Sequence, residues 1–536
     1  MPIRMTDDEP GDEPESSSEE EDQPKRKASG GGSGSGGSGG GLIALLGLFA
    51  FFLKYPKLTL TLLLIGGVIL YVASRDPAGP RGNPTKPGAV IADNGEGRGA
   101  TLDPKVYDEA LVHEPLYSDG SERPSRVSLL AAAPPRGSQG AQGSCVGWAT
   151  SYAARSILHA VETGRHDTVY SPSFTYNPIA KENCQGSFIV RALERLRDVG
   201  DVPFNEFEYD PKSCDRQPAS ALVTEARSHR IRGFTRLSLD AEDYRTNSKA
   251  VKEHLAQNAP VVIGMRVGGT FQSAMRGQRV WHPTQADYDS KGDWGGHAMA
   301  VIGYDDSIEG GAFQLMNSWG SKWGEDGVAF VKYKDFNHFV REAYGLYPMK
   351  PSAKAAAAPQ QIRFGLLEVD AKGVPTSKRI AFKPQSEMVF RTAQPIRKGT
   401  RFKVELANSQ PVYTYLFGQE SNGKSYVLFP YTPKHSPYCG TAGTRVFPRK
   451  QSLTADSIGT RDAVAVVIAP EALDPVALNR RIDAQRGASY ADKLKGALRD
   501  QLRRGSQARV GPAGVELTST AGERGVEAMV LEFDKR

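Results

Sequence analysis

The chain has 536 residues, of which 39% are apolar and 24% charged, with a formal net charge of +6. That length suits about three units of roughly 150 residues each, and so mild a charge gives no argument for nucleic acid. Four cysteines without a Cys-x-x-Cys pair exclude a disulfide framework and a four-cysteine zinc site built from neighbours. Residues 1–22 hold ten Asp or Glu against one Arg, then pass through Lys25-Arg26-Lys27 into a Gly/Ser run. Such a composition buries too little apolar surface to offset the entropy of ordering, so residues 1–41 are expected to form a disordered tail.

Residues 42–75 read as a membrane anchor. Two uncharged runs, of 12 residues (42–53) and 16 residues (58–73), are separated by Lys-Tyr-Pro-Lys. A span needs about 20 apolar residues. The second run reaches that length if Lys57 snorkels, and the first then continues it as an interfacial helix kinked near Pro56. A helical hairpin is the alternative. Lys25, Arg26, Lys27, Lys54 and Lys57 all precede the second run. For a single span they put the N-terminus in the cytoplasm and everything after Arg75 outside it.

Residues 76–121, rich in Pro, Gly and charge, read as a stalk. Residues 122–350 carry alternating helical and strand-like patterns and the tryptophans. Residues 351–361 (PSAKAAAAPQQ) form a second linker. Residues 362–536 are expected to form a β-rich, sandwich-like accessory domain. Its strand-like runs are 411–418, 425–430 and 463–470, and a basic amphipathic helix lies near 490–504 with Leu494, Leu498 and Leu502 on one face.

The chemistry concentrates in 122–350. Cys145 follows a Gly-rich approach (SQGAQGSC), and Val146, Ala149, Ala153, Ile157 and Ala160 then recur at helical spacing. A thiol is thereby placed at a helix N-terminus, where the macrodipole favours the thiolate. His297 opens a buried strand pattern (AMAVIGY), and Asn317 closes another (FQLMN). Neighbouring strands would hold the two side by side, with the Asn fixing the imidazole tautomer, in a nucleophile–base–orienter arrangement. Asp287, Asp289 and Asp293 lack the acid that a calcium loop wants at its twelfth position, occupied by Ala298, and read as a solvated loop.

The order Cys, His, Asn resembles the papain-like (C1) family of cysteine peptidases. Gln139, six residues before Cys145, matches the family's oxyanion-hole glutamine. Asn317-Ser318-Trp319-Gly320 resembles its NSWG motif, and Trp323-Gly324-Glu325-Asp326-Gly327 and Tyr170-Ser171-Pro172-Ser173 match further segments. The resemblance implies an α+β, two-lobed domain hydrolysing peptide bonds. Cys145 would be the nucleophile, His297 its ion-pair partner and acid, Asn317 the orienter, and Gln139 with the Cys145 N–H the oxyanion donors. Trp319 would shield the His–Asn bond, Gly186 and Ser187 would line the substrate cleft, and Cys184 and Cys214 would pair in a disulfide. No metal or organic cofactor is implied. Gln142 replaces a cysteine common in plant and animal members, and the approach to Cys145 looks bacterial. The LFP at 428–430 and the AVVIAP at 465–470 followed by Leu473-Asp474 resemble an uncharacterised bacterial accessory domain sometimes fused to peptidases. The chain is thus expected to be an inner-membrane-tethered bacterial endopeptidase with its catalytic domain periplasmic or otherwise extracytoplasmic. Two alternatives remain open: a catalytically silent papain-fold binder, and a Cys-dependent amidase acting on cell-wall peptides. No helical propeptide is legible in 76–121.

Overall fold

The structure is a computed structural model that describes residues 3–7, 96–117, 123–238, 246, 248–349, 359–449, 451–503, 507–519 and 525–536. The expected membrane anchor over 42–75 lies outside the described residues. Among the described residues, no helix is long and apolar enough to cross a membrane.

The first half of residues 123–349 is helical. A continuous helix begins at Cys145, widens into π-type turns over Trp148–Arg155 and regains α geometry over Ser156–Thr163. It ends at Gly164, whose φ of 69° is the left-handed conformation that glycine adopts at least cost. Helices Pro172–Tyr176 and Ile189–Asp198 pack beside it. The second half is an antiparallel sheet in the order Gly233–Arg236, Val340–Tyr347, Val261–Val267, Gly295–Asp305, Ala312–Met316, Val328–Lys332. Arg126–Ser128 pairs with Gly295–Asp305 as well.

Strand Val261–Val267 is buried almost throughout because both faces of this sheet are covered. Val261, Ile263, Met265 and Val267 point into a core with Phe271, Trp281, Phe313 and Phe339. Val262, on the other face, meets Ala298, Tyr344 and the helices that carry Val146, Ala149, Leu158, Ile189 and Leu193. The period-2 alternation of the strand therefore welds the helical half to the sheet. Each fully buried Val, Leu or Ile adds about 1.5–3 kcal/mol to that weld.

The C-terminal region holds two sheets whose inner faces share one core. Phe364, Leu366, Val404 and Leu406 of the first meet Leu416, Val466, Ile468, Leu531 and Phe533 of the second. The region is thus β-rich, as expected. Two helices, not one, cover the outer face of the second sheet. Pro475–Asp483 and Tyr490–Leu498 bury Leu478, Ile482, Leu494 and Leu498 against Tyr415, Phe417, Ala465 and Val467. The first of them starts with Asp474 capping the Val476 and Ala477 N–H groups and Pro475 at the first helical position.

Two expectations need correction. Ile3–Asp7, placed by composition in a tail that does not fold, pairs antiparallel with Gln451–Ala455, because an edge strand offers unpaired backbone groups to any extended segment. Residues 96–117, read as part of a stalk, lie packed on residues 123–349 and on the C-terminal region. Ala100, Tyr107, Ala110 and Val112 are buried, so the apolar side chains scattered through this Gly- and charge-rich stretch do find a core. Val112 N–H donates to Lys434 O (2.7 Å), Ser436 N–H to Val112 O (3.1 Å), and His113 N–H to Arg236 O (3.0 Å). The strip is stitched to both regions at once.

Candidate active site

Cys145 is the first residue of its helix and is fully buried. Burial pushes its thiol up to about 11, opposed by the nearby peptide groups of Ala298, Gly99, Ala100 and Val146. Loss of water thus favours the thiol over the thiolate while the site is covered.

His297 and Asn317 stand where paired strands bring them. Ala300 is opposite Met316 across the ladder, which carries the start of one strand to the end of the other. His297 Nε2 lies 2.7 Å from Asn317 Oδ1, which also accepts the Ser318 N–H at 2.7 Å. An amide oxygen only accepts, so Nε2 carries the proton and Nδ1 is the basic nitrogen. Nδ1 is buried and has no hydrogen-bond partner among the described residues. Trp319 stacks on the imidazole, with ring centroids 4.5 Å apart and planes inclined by 26°. Burial lowers His297 to about 4, the Asn317 hydrogen bond opposing it and the Arg98 charge adding to it.

Gln139 is fully buried. Its Nε2 donates to Gln142 O (2.7 Å), and its Oε1 accepts from Ser318 Oγ (2.6 Å). The side chain is thereby fixed between the loop before Cys145 and the segment after Asn317. Gly143 N–H donates to Cys184 O (3.1 Å), and Cys184 is disulfide-bonded to Cys214 with a Cα–Cα distance of 5.8 Å. The loop leading to the thiol thus leans on a cross-linked wall. Cys439 is free, buried in the C-terminal sandwich and remote from these residues in the fold.

The cleft is filled by the chain itself. Gly97 N–H donates to Gly140 O (2.7 Å), and Gly97 O accepts Trp319 Nε1–H (3.0 Å). Ser187 N–H donates to Gly99 O (2.9 Å), Thr101 N–H to Ser187 O (2.9 Å), and Ala100 N–H to Gly296 O (3.1 Å). Residues 97–101 therefore run between the Gly186-Ser187 wall and the Gly296-His297 wall, directly over Cys145. Gly186 has φ 112°, and a Cβ there would lie 2.1 Å from Gly99 O, so this wall needs a glycine for both reasons. Gly186, Ser187 and Trp319, expected to line a cleft, are all in contact with this strip.

Sequence reasoning missed this cover, with Arg98 and its partner Asp293. A signal was present: Gly95, Gly97 and Gly99 alternate, and alternating residues without side chains let an extended chain enter a narrow groove. Among the described residues no group of three or more His, Cys, Asp or Glu is placed to hold a metal ion. Asp287 instead closes a capping box with Thr284.

Residues 131–349 match the family model described as papain family cysteine protease. An uncharacterised peptidase C1-like protein of Acanthamoeba polyphaga mimivirus is 25% identical over 228 residues, which are 41% of this chain and 71% of that one. Cathepsin F of Drosophila melanogaster is 29% identical over 199 residues, 35% of this chain and 29% of that one. Among solved structures, xylellain, a cysteine protease from Xylella fastidiosa, aligns at a TM-score of 0.40 with 21% identity, over 48% of this chain and 98% of that one. The chain thus spans from under a third to about seven-tenths of the length of these two curated relatives.

Proposed function

We propose that residues 131–349, a papain-like cysteine peptidase domain, hydrolyse peptide bonds with Cys145 as nucleophile, once residues 97–101 have left the cleft. The observation that carries this reading is the His297–Asn317 pair at 2.7 Å under the Trp319 ring, on strands packed against the helix that starts at Cys145. With Nε2–H held by Asn317, Nδ1 is the nitrogen free to take the thiol proton. Re-entry of water removes the burial that holds Cys145 up and His297 down, and the helix N-terminus then stabilises the thiolate. The thiolate attacks the substrate carbonyl, and the Cys145 N–H and a Gln139 side-chain N–H face the developing oxyanion. The imidazolium protonates the leaving amine, and water attacks the acyl-enzyme with His297 again acting as base.

In the same reading, residues 42–75 tether the chain to a bacterial inner membrane, with the peptidase outside the cytoplasm. The Cys184–Cys214 disulfide is of a kind that an oxidising compartment preserves.

The test is hydrolysis of a protein substrate by the full chain and by Cys145→Ala, with cleavage and labelling of Cys145 by an epoxysuccinyl inhibitor read together. Both should be present in a variant with the cleft open and absent in Cys145→Ala. A folded protein with a reactive Cys145 that cleaves no peptide bond would overturn the proposal.

A further inference from the structure

The cover is anchored beside the catalytic histidine by one long side chain. Arg98 is the only residue with a side chain between Gly97 and Gly99, and that side chain is 2% exposed. Nη1 donates to Val267 O (3.1 Å) and Asp293 O (2.9 Å), and Nη2 donates to Asp293 Oδ2 (2.7 Å). The guanidinium lies beside Gly295, where an added Cβ would be in van der Waals contact with Cζ and Nε at 3.5 Å. Opposite, Gly268 is pressed so closely to the 293–294 loop that a Cβ would come within 2.6 Å of Asp293 O and 2.9 Å of the Trp294 ring. The notch therefore has two backbone carbonyls as acceptors in a closely packed wall, and the exposed Asp293 carboxylate as a third at its rim.

This acceptor set suits a planar fork. A guanidinium reaches three acceptors lying in different directions from two nitrogens, which an ammonium on a flexible stem does not reproduce. The notch also has a defined place in the cleft. Gly97, on one side of Arg98, is bonded to Trp319, and the Gly99–Ala100 peptide, on the other, lies at the Cys145 thiol.

We propose that the notch formed by Val267, Asp293, Trp294 and Gly295 is a substrate-recognition pocket for an arginine side chain adjoining the peptide bond presented to Cys145, and that Arg98 occupies it when the cleft is covered. The enzyme's substrates are then arginine-containing peptides, and Asp293 is the residue that selects them. This rests on the peptidase reading above, and it adds the class of substrate.

The full-length Arg98→Ala variant vacates the notch. The readout is alkylation of Cys145 by iodoacetamide, followed by peptide mass spectrometry, with buried Cys439 as internal reference. The probes are a synthetic peptide of residues 96–103, Glu-Gly-Arg-Gly-Ala-Thr-Leu-Asp, and versions with Ala or Lys in place of Arg. A charge-assisted contact of this kind corresponds to about a tenfold change. Arg98→Ala should be alkylated about tenfold faster than wild type. The arginine peptide should protect Cys145 at about one-tenth the concentration that the alanine peptide needs, with the lysine peptide in between. Asp293→Asn, added to Arg98→Ala, should erase the difference between peptides. Equal protection by the arginine and alanine peptides, or unchanged alkylation in Arg98→Ala, would overturn the proposal. Hydrolysis of a protein substrate by the same variant separates the two readings. Cleavage without arginine preference leaves the peptidase and removes the pocket, and selective protection without cleavage does the reverse.

Discussion

Replacing Gly99 by Ala puts a methyl group where the floor of the cleft has no room. A Cβ at residue 99 would lie 1.9 Å from Gly143 O, 2.5 Å from Gly143 C and 2.7 Å from Gly143 Cα. Ordinary carbon contacts are about 3.5–4.0 Å. The obstacle is backbone, and it is tied down by the Gly143 N–H to Cys184 O bond and the disulfide behind it, so the cover must move. The hold it has to lose is countable. Five hydrogen bonds fix its backbone: Gly97 N–H to Gly140, Trp319 to Gly97, Ser187 N–H to Gly99, Ala100 N–H to Gly296, and Thr101 N–H to Ser187. At about 1 kcal/mol net each, they amount to about 5 kcal/mol before the Arg98 contacts are added, so in wild type fewer than about one molecule in a thousand is uncovered. In Gly99→Ala the overlap exceeds that hold, and the open state should dominate. Alkylation of Cys145 should rise by about three orders of magnitude, and peptide hydrolysis should appear with it. Gly233→Ala serves as control, because a Cβ there meets nothing within 4 Å. If Gly99→Ala is folded and its Cys145 reacts at the wild-type rate, the strip is not what shields the thiol, and the reasoning fails.

Three further outcomes are expected. Asn317→Ala leaves the His297 Nε2–H buried without an acceptor, which costs about 1.5–3 kcal/mol. In the opened enzyme kcat should fall roughly 10- to 100-fold with little change in KM, and steady-state kinetics on a peptide substrate checks the split. Acid should also open the cleft. The covered state holds His297 at about 4, below the ordinary value of about 6.5, so its advantage is complete above about pH 6.5 and lost as pH falls through 4. At pH 5 the loss is about 2 kcal/mol, a roughly 30-fold gain in open molecules. Labelling with a dipyridyl disulfide, which reacts in acid, reads it, and a rate that does not rise between pH 7 and 5 would refute the linkage. Finally, Tyr431→Phe removes the phenol that donates to buried Glu114 Oε2 at 2.9 Å, and Lys434→Glu reverses the ion pair with Asp108. Although both lie in the C-terminal region, together they should speed Cys145 labelling several-fold, because a looser tether lowers the local concentration at which the cover returns.

The candidate site residues were legible because each carries a local signature. Cys145 stands at the junction of a Gly-rich loop and a helical repeat, His297 at the start of one apolar run and Asn317 at the end of another. Strand pairing then brings the last two together without information from elsewhere. The sandwich was legible for the same reason, since alternation along 411–418 and 463–470 declares two-sided strands. What lay hidden was non-local. Residues 97–101 carry only a short glycine alternation and one apolar side chain, Ala100, and their order comes from donors and acceptors supplied by Gly140, Ser187, Gly296 and Trp319, residues far along the chain. Composition alone assigns such a segment to a linker. The charge state of the thiol was hidden too, because helix position predicts a lowered value, while a cover that excludes water reverses its sign.

The strip also gives the C-terminal sandwich a mechanical place in the molecule. Its downstream end does not pass freely into the catalytic domain. Arg445, fully buried in the sandwich, donates through Nε to Glu114 O (3.1 Å), through Nη1 to Asn408 Oδ1 (2.7 Å) and through Nη2 to Thr441 O (2.7 Å). Glu114, raised to about 7 by burial, takes the Tyr431 hydroxyl. Arg236 of the catalytic sheet meets Asp108 at 2.9 Å, and Lys434 of the sandwich meets the same carboxylate. Displacing residues 97–101 from the thiol therefore does not require freeing residues 108–117, which stay held between two folded regions. The cover is a tethered occupant, and its return is intramolecular. A peptide competing for the Arg98 notch works against a high local concentration of the strip, whereas a cut upstream of residue 97 would leave that concentration almost unchanged. Opening by weakening the contacts at Gly97, Arg98 and Gly99 should accordingly be reversible, and Cys145 should become protected again when acidified protein is returned to neutral pH. Labelling before, during and after such a pH cycle measures it. A site that stays open after neutralisation, with the chain intact, would mean that residues 108–117 do not act as the tether.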